Sequence, residues 1–193
     1  MTGWPDNTTT VCHVSFSGTS TEAGWSGIIQ RNRGFGIRKA VTADMKIREV
    51  IDHKKAYVDL LLLADEQEDM IDRYLERGTM YVLEDDGIKS ECVVTDEGDG
   101  ILEIKNIATD PEHQGHGYGK ALITFLEKTY STQYSILQVG TGDVPSTVLF
   151  YEACGFHRSH RIKNFFIDHY DHPIYEDGMQ LMDMVYLQKN LSV

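Results

Sequence analysis

A run of alternating glycines between a predicted strand and a predicted helix constrains the fold of this chain more than any other feature. The glycines are Gly115, Gly117 and Gly119, and they follow the β-rich stretch 101–108. After them, apolar residues recur at i, i+3, i+4, i+7 and i+8, which is the spacing of one buried helix face. Those residues are Tyr118, Ala121, Leu122, Phe125 and Leu126. The chain must therefore turn tightly from a strand into an amphipathic helix.

The glycines also indicate what this turn can bind. Glycine adopts positive φ without strain and has no Cβ, so successive backbone N–H groups can converge on an anion at the positive end of the helix dipole. The spacing G-x-G-x-G over 115–119 differs from the dinucleotide pattern G-x-G-x-x-G, and no G-K-[ST] follows a four-residue gap. We predict a pyrophosphate site that serves neither NAD nor ATP. A strand-to-helix turn without a ligand is the alternative.

The rest of the chain from Met45 onward alternates strand and helix patterns. Short acidic links containing glycine join three of the strands, and such links are typical of antiparallel hairpins. Strands are predicted at 47–51, 80–83, 90–95, 101–108, 135–140, 156–166 and 180–187. Helices are predicted around Ala56, Leu60, Leu61 and Leu63, at 68–77 with Gly78 ending it, at 118–126 and at 146–154. The fold class is therefore α+β, a mixed and largely antiparallel sheet flanked by helices.

Residues 1–44 differ from the rest in composition. They are rich in Ser, Thr, Asn and Gly, and no helical or strand period lasts more than a few residues. We predict that they are an extension, either disordered or derived from a vector or fusion, and that the native chain starts at Met45. The domain would then span 45–193. The alternative is that the extension is a genuine part of the fold.

Charge and cysteine content exclude several classes of protein. The formal net charge is −12, which disfavours nucleic acid as a partner because phosphate backbones are held by clustered Lys and Arg. A cationic or amine-bearing partner fits better, although acidity that merely aids solubility is the plain alternative. Cys12, Cys92 and Cys154 form no C-x-x-C pair, so neither a disulfide framework nor a zinc site is expected. No stretch approaches the roughly 18 apolar residues of a membrane helix, and we expect a cytoplasmic protein.

The glycine turn resembles the phosphate motif Q/R-x-x-G-x-G/A of the GNAT superfamily of acyl-CoA N-acyltransferases. Gln114–Gly119 matches every fixed position, and Ile107–Glu112 before it is similar to the V-x-P-E strand end of that family. Downstream, Leu149–Phe156 resembles the L-Y-E-K-x-G-F segment, and Phe165–Gly178 resembles a stretch of small bacterial-type members. The resemblance covers most of Met45–Leu191, and it implies a GNAT-like fold.

Acetyl-CoA is the co-substrate that the resemblance implies, held where two central strands separate. The pantetheine arm would bond to the open strand and the pyrophosphate to the turn. The residues so assigned are Ile107, Ala108, Thr109, Gln114, Gly115, His116, Gly117, Tyr118, Gly119 and Lys120. Relatives often carry an asparagine where this chain has Val144, and Ser146 is assigned in its place, with Asp143 and Thr147 as alternatives.

Catalytic roles also follow from the resemblance. Tyr151 would protonate the departing thiolate, with simple packing against the cofactor as the alternative. An ammonium ion cannot attack a thioester, so a group must take its proton. Glu103, on the strand that leads into the turn, is the first candidate, although a solvated strand residue is equally consistent. His113 and His116 are expected to flank the cofactor, and Cys154 is not expected to carry the acetyl group.

The stretch 168–178 near the C-terminus contains four acids, two histidines and two tyrosines. We predict one loop there that lines an acceptor pocket for a positively charged amine. A polar surface hairpin is the plain alternative. A metal site on His169 and His172 is disfavoured, because Pro173 argues against a helix that presents both side chains on one face.

The predicted function is direct transfer of an acetyl group to a primary amine of a small molecule or peptide. A non-catalytic acyl-CoA sensor is one alternative, and an acyltransferase with another acyl donor or an alcohol acceptor is another. The sequence does not name the acceptor. It leaves the oligomeric state open, with a homodimer through a sheet edge as the arrangement that the resemblance suggests.

Overall fold

The computed structural model describes residues 45–191. The predicted extension, 1–44, lies outside these residues. The strands are β1 Lys46–Val50, β2 Thr79–Glu84, β3 Ile88–Asp96, β4 Ile101–Thr109, β5 Ile136–Gly142, β6 His157–Ile162, β7 Tyr175–Glu176, β8 Met179–Gln180 and β9 Met184–Asn190. The helices are α1 Val58–Leu61, α2 Glu68–Leu75, α3 Tyr118–Tyr130, α4 Pro145–Ala153 and α5 Phe165–His169, with 3₁₀ turns at Lys54–Tyr57 and Pro111–His113. No helix between residues 45 and 191 is long and apolar enough to cross a membrane.

Seven strands form one mixed sheet in the order β1-β2-β3-β4-β5-β9-β6, and β7 and β8 form a separate hairpin. Only the β4–β5 pair in this sheet is parallel. The parallel pair requires a crossover, which α3 supplies. The predicted α+β class and the largely antiparallel sheet are confirmed.

The two faces of the sheet pack against different helices. On one face, which we call the α3 face, Cys92 and Ile107 join a core with Leu122 of α3 and Tyr151 of α4. On the other, the α1 face, Val82 and Val93 pack with Leu61 of α1 and Tyr74 of α2; all four are buried. Because strand side chains alternate between faces, each strand contributes to both cores.

A bulge in β4 precedes the point where this strand leaves β5. In the β3–β4 register, Val94 pairs with Ile104 and Val93 pairs with Asn106, so Lys105 is one extra residue on β4. Bulges of this kind bend a strand and increase its local twist. The pairing of β4 with β5 ends at Ile104 with Val139, although both strands continue. The structure therefore contains the strand separation that the resemblance implies.

The predicted N-terminal helix is shorter than expected. Of its four apolar residues only Leu61 is buried, and Ala56 is exposed, so the predicted buried face is wrong. The next helix ends at Leu75, before Gly78. A Cβ on Gly78 would lie 2.6 Å from Cγ1 of Val93, so this glycine allows a close approach to β3.

The C-terminal region also differs from the prediction. The strand predicted at 156–166 ends at Ile162, and Phe165 and Phe166 begin α5 with buried side chains. Asn164 makes this turn in the left-handed conformation with φ of 55°, and its N–H donates to Asp183 Oδ1 at 2.9 Å. The stretch 168–178 is not one loop, because it contains the end of α5 and strand β7 of the small hairpin.

Candidate active site

The glycine turn between β4 and α3 has the geometry of an anion site. Gly115 and Gly117 have φ of 76° and 86°, and a Cβ on either would meet nothing within 4 Å. Intrahelical bonding begins with the N–H of Ala121, which donates to the Gly117 carbonyl at 2.9 Å. The amides of Tyr118, Gly119 and Lys120 therefore precede the first helical bond and point out of the helix N-terminus. The first turn of α3 contains no acidic residue, which favours a bound anion.

The third glycine of the turn serves packing rather than conformation. Gly119 lies within α3, and its φ is not positive. A Cβ there would lie 3.2 Å from Cζ of Phe150 and 3.8 Å from Oγ1 of Thr109. The absence of a side chain at Gly119 therefore allows α3 to pack closely against Phe150 of α4.

The side chains of the turn mostly bond within the protein. His116 Nδ1 lies 3.0 Å from the carbonyl oxygens of His113 and Gln114, and its ring stacks on Tyr118 at 5.9 Å between centroids. The Tyr118 hydroxyl donates to Asp85 Oδ2 at 2.7 Å, which raises the pKa of this tyrosine. Gln114 Nε2 lies 3.4 Å from the Thr109 carbonyl oxygen. These side chains stabilise the turn, and the backbone is left to contact an anion.

The end of β4 has one bonded edge and one open edge. The N–H of Asp110 donates to the Lys89 carbonyl of the neighbouring β3 chain at 2.9 Å. Since backbone groups alternate in an antiparallel ladder, those of Ala108 also face β3. The Ala108 carbonyl additionally accepts a bond of 2.5 Å from Ser90 Oγ. The backbone groups of Ile107 and Thr109 therefore face the gap beside β5, whereas those of Ala108 do not.

Tyr151 lies inside the core on the α3 face. Its side chain is 0% exposed. Its ring centroid is 5.1 Å from that of Phe150 and 5.6 Å from that of Phe156, both in edge-on geometry. It shares this core with Ile107 at the open edge of β4. The structure thus brings the predicted acid and the predicted pantetheine strand together.

Glu103 is buried in a polar network on β4 and is 3% exposed. Oε1 accepts a bond of 2.7 Å from Lys105 Nζ, and Oε2 accepts one of 2.8 Å from Gln138 Nε2. Burial raises the pKa of Glu103, and the Lys105 ammonium partly offsets that rise. Glu103 is paired with Gln138 where β4 and β5 are still bonded, so it lies below the gap rather than beside it.

Ser146 and the acidic tail residues are bonded to each other. Ser146 Oγ donates to Asp177 Oδ2, and Thr147 Oγ1 next to it donates to Glu176 Oε1. Earlier in the tail, Asp171 accepts a bond of 2.7 Å from Gln67 Nε2. The tail acids therefore divide between α4 and the α1–α2 turn, and they do not line a single pocket.

Comparisons with known proteins agree with this geometry. Residues 76–158 match the model of the acetyltransferase (GNAT) domain. The chain is also 38% identical over 136 residues to the uncharacterized N-acetyltransferase YvbK of Bacillus subtilis (strain 168), which covers 69% of this chain and 88% of that protein. The chain belongs to the GNAT acetyltransferase family. The predicted family and enzyme class, and acetyl-CoA as its co-substrate, are thereby confirmed.

Two solved GNAT structures show the same fold. An acetyltransferase from Bacillus subtilis in complex with CoA matches with a TM-score of 0.70 and 34% identity over 76% of this chain and 98% of that one. A GNAT family acetyltransferase from Elizabethkingia anophelis with acetyl-CoA bound matches with a TM-score of 0.71 and 33% identity over 76% and 97%. Each alignment covers nearly the whole relative.

The residues of this GNAT domain fit a CoA pyrophosphate. The turn offers outward amides, the space in front of Gly115 and Gly117 is clear, and Lys120 adds positive charge without an acid in the same turn. The described residues, 45–191, contain no group of three or more His, Cys, Asp or Glu side chains placed to hold a metal ion.

Three further carboxyl groups in this GNAT domain are buried, of which Asp65 and Glu91 were not singled out from the sequence and Glu176 belongs to the predicted acidic stretch 168–178. Asp65 is 3% exposed, Glu91 0% and Glu176 4%. Burial is the main cause that raises their pKa values, to about 7 for Asp65, about 8 for Glu91 and about 7 for Glu176. One feature of the sequence could have drawn attention to Glu91. It is the one charged residue of the strand predicted at 90–95, and charged residues are rarely fully buried in a strand.

Proposed function

We propose that this protein holds acetyl-CoA in the gap between β4 and β5 and transfers the acetyl group directly to a primary amine. The observation that carries the proposal is the helix N-terminus at Gly117, which follows β4 after one short turn. The pairing of β4 with β5 ends before Ile107 and Thr109. A pyrophosphate and an extended amide-containing arm need these two features side by side.

Each part of the site has a role in that transfer. Acetyl-CoA, when bound, supplies the acetyl thioester. The amides of Tyr118 to Lys120 hold its pyrophosphate, and the backbone of Ile107 and Thr109 orients its arm. Tyr151 gives a proton to the leaving sulfur. Ser146 is bonded to Asp177, so its contribution is to fix the start of α4.

The proton of the attacking ammonium must also be removed. Glu103 is the sequence-predicted acceptor, but Lys105 and Gln138 already bond to its two oxygens. It therefore reaches an amine only through water.

The acceptor is proposed to be cationic. A cavity of about 220 Å³ lies beside the tail and is lined in part by Tyr170, Asp171 and Gln180. The neighbouring α1–α2 turn adds Asp65, whose Oδ1 lies 3.3 Å from the Tyr170 hydroxyl, and Glu66, whose carboxylate lies 3.5 Å from His172. Together with the net charge of −12, these carboxylates favour an amine that carries positive charge.

Thiol release tests this function. The full chain is mixed with acetyl-CoA and, in separate reactions, spermidine, lysine, an aminoglycoside and a short peptide with a free N-terminus. We expect CoA release with at least one amine and micromolar to millimolar binding of CoA by calorimetry. If the protein binds CoA but releases none from acetyl-CoA with any amine, a sensor is favoured. If it binds no CoA at millimolar concentration, the proposal is refuted. Reactions with propionyl-CoA in place of acetyl-CoA, and with an alcohol in place of the amine, test the two remaining alternatives: another acyl donor and an alcohol acceptor.

Homodimerisation and a cytoplasmic location stay predictions. Light scattering coupled to size exclusion measures the mass of the particle and tests the first. Fractionation of cells that express the chain tests the second.

A further inference from the structure

Glu91 on β3 is a fully buried carboxyl group that the proposed mechanism does not use. It is 0% exposed, and among the described residues neither carboxylate oxygen has a hydrogen-bond partner. The backbone N–H of Ala108, which the ladder directs toward β3, is near enough to favour the charged form of Glu91, but it does not meet hydrogen-bond geometry with either oxygen. Leaving such a group without partners inside a protein costs free energy. The free-energy cost of burying Glu91 suggests that this carboxyl group has a functional role.

The register places Glu91 beside the gap in the sheet. Glu91 is directly opposite Ala108, which lies between the open-edge residues Ile107 and Thr109. Directly opposed residues of an antiparallel pair share one face, and Val93, two residues along β3, belongs to the α1 face. Glu91 therefore lies on the α1 face, level with the open stretch of β4, with only the Ala108 methyl group beside it on β4.

Tyr151 lies on the opposite face. Its core includes Ile107 and Cys92, which alternate with Ala108 and Glu91 along their strands. A thioester held at the open edge of β4 would thus have a hydroxyl on the α3 side and a carboxylate on the α1 side. This is the arrangement needed if one group gives a proton to the leaving sulfur while another removes one from the incoming nitrogen.

Glu103 is less suitable for that second role. It lies on the same face but at the bonded end of the β4–β5 pair, and both its oxygens accept hydrogen bonds from neighbouring side chains. Among the described residues, no side chain bonds to either oxygen of Glu91, and Glu91 lies at the level of the gap.

We propose that Glu91 is the general base of the reaction, taking a proton from the acceptor ammonium on the α1 face of the gap, directly or through one water. This inference rests on the proposed acetyl transfer. The ammonium gives one proton to the Glu91 carboxylate, and its nitrogen then forms a bond to the acetyl carbon. The carbon–sulfur bond breaks, and the thiolate takes a proton from Tyr151. The second nitrogen proton leaves to solvent, Tyr151 regains a proton from solvent, and Glu91 releases its proton to solvent, so the turnover yields one net proton.

The surroundings of Glu91 suit a base that works at mildly alkaline pH. Burial raises its pKa to about 8. Two titratable groups on this face of the neighbouring elements are Lys89 on β3, whose Nζ lies 3.0 Å from His113 Nε2, and Tyr74 on α2, whose hydroxyl accepts from Asn106 Nδ2 at 2.8 Å. Farther along β4, the same face carries Glu103 with Lys105 bonded to it. On β1, Arg48 lies opposite Val82 and bonds to Glu84. β2 presents Val82 and α1 presents Leu61. Loss of the Glu91 proton then increases the active fraction of enzyme as pH rises toward 8.

The test compares Glu91→Gln with Glu103→Gln, using the amine of the panel above that gives the fastest CoA release. For Glu91→Gln we expect kcat to fall about 10²- to 10⁴-fold, with unchanged CoA affinity in calorimetry. The rise of kcat toward pH 8 should disappear, and the rate should instead climb toward the pKa of the free amine. Glu103→Gln is the rival variant, and if Glu91 is the base the alkaline rise should be lost in Glu91→Gln and retained in Glu103→Gln, whatever Glu103→Gln does to kcat. Glu49→Gln, at an exposed position of β1, controls for the lost charge.

Two outcomes overturn this inference separately from the proposed function. If the wild type releases CoA and Glu91→Gln keeps its kcat and pH profile, Glu91 is not the base. If Glu103→Gln instead abolishes the alkaline rise, the base is Glu103. If the folded wild type releases no CoA with any amine, the proposed function fails and this inference fails with it. Thermal unfolding of each variant separates loss of fold from loss of chemistry.

Discussion

The hydroxyl of Tyr170 lies 3.3 Å from Oδ1 of Asp65, and this contact joins the tail to the α1–α2 turn across 105 positions of sequence. Asp65 is 3% exposed, and its second oxygen has no hydrogen-bond partner among residues 45–191. Burial raises the pKa of Asp65 to about 7, and the backbone N–H of Gln67 and the Tyr170 hydroxyl partly offset this by favouring the charged form. The junction of the two segments therefore depends on a carboxyl group that titrates near neutral pH.

Tyr170→Phe should destabilise this junction in a pH-dependent way. The phenyl ring keeps the packing on Phe166, but Asp65 loses the hydroxyl hydrogen-bond donor of Tyr170. This donor matters most when Asp65 is charged. We expect the free energy of unfolding to fall by about 1–3 kcal/mol at pH 8 and by less at pH 5, where Asp65 is protonated. Urea titrations at the two pH values measure the difference. Equal losses at both would contradict the assignment.

Glu176→Gln should stabilise the protein at alkaline pH. The pKa of Glu176 is raised to about 7 from 4.5, so the folded state keeps a proton that the unfolded chain releases in that window. Wild-type stability therefore falls as pH rises from about 4.5 to 7 and stays lower above it. The glutamine still accepts the Thr147 bond without this titration, which gives a gain of ~3 kcal/mol at pH 8 and little change at pH 4.5. A pH-independent difference between the two unfolding curves would refute this.

The conformation of the glycine turn was predictable from the sequence because its determinants are local. Gly115 and Gly117 adopt the left-handed conformation that only glycine takes readily, and the apolar stripe starting at Tyr118 fixes the helix that follows. The separation of two central strands followed from the family resemblance. The motif Gln114–Gly119 and the residues on either side of it were sufficient for this prediction.

The tail and the buried acids were not predictable in the same way. Phe165 and Phe166 fit a strand pattern, but they leave β6 because Asn164 reverses the chain and Asp183, distant in sequence, bonds to it. The hairpin at Asp177-Gly178 carried a D-G turn signal, and both residues have positive φ. Glu91 appeared as one polar residue in a strand; only its register with Ala108 places it at the gap.

Lys105→Met should destabilise the protein strongly. Lys105 is 1% exposed and bonds to Glu103 at 2.7 Å, so its removal leaves a buried carboxylate with Gln138 alone and should cost about 3–5 kcal/mol. Adding Glu103→Gln should recover part of this loss in a double-mutant cycle. Lys55→Met removes an exposed ion pair with Asp72 and should leave the unfolding free energy nearly unchanged. Additive effects in the cycle would argue against a coupled buried pair.

Gly117→Val should weaken CoA binding through the backbone. A β-branched residue does not tolerate φ of 86°, so the amides that follow should move out of line. Gly87→Val is the matched control, because Gly87 has φ of 95° and equally free space but lies in the β2–β3 link. Both variants should lose about 1 kcal/mol or more of stability. Calorimetry should show at least a tenfold weaker CoA affinity for Gly117→Val alone; equal affinities in the two variants would place the pyrophosphate elsewhere.

Tyr151→Phe should slow acetyl transfer without weakening CoA binding. The phenyl ring preserves the contacts with Phe150 and Phe156, so the core and the cofactor gap should keep their shape while the proton for the leaving sulfur is lost. We expect kcat to fall about 10²-fold or more, with an unchanged CoA dissociation constant. Tyr130→Phe, which removes the hydroxyl that lies 2.8 Å from that of Tyr81 at the far end of α3, should leave kcat unchanged. A Tyr151→Phe variant with wild-type kcat would mean that the departing thiolate is protonated by another group, and that Tyr151 only packs against the cofactor gap.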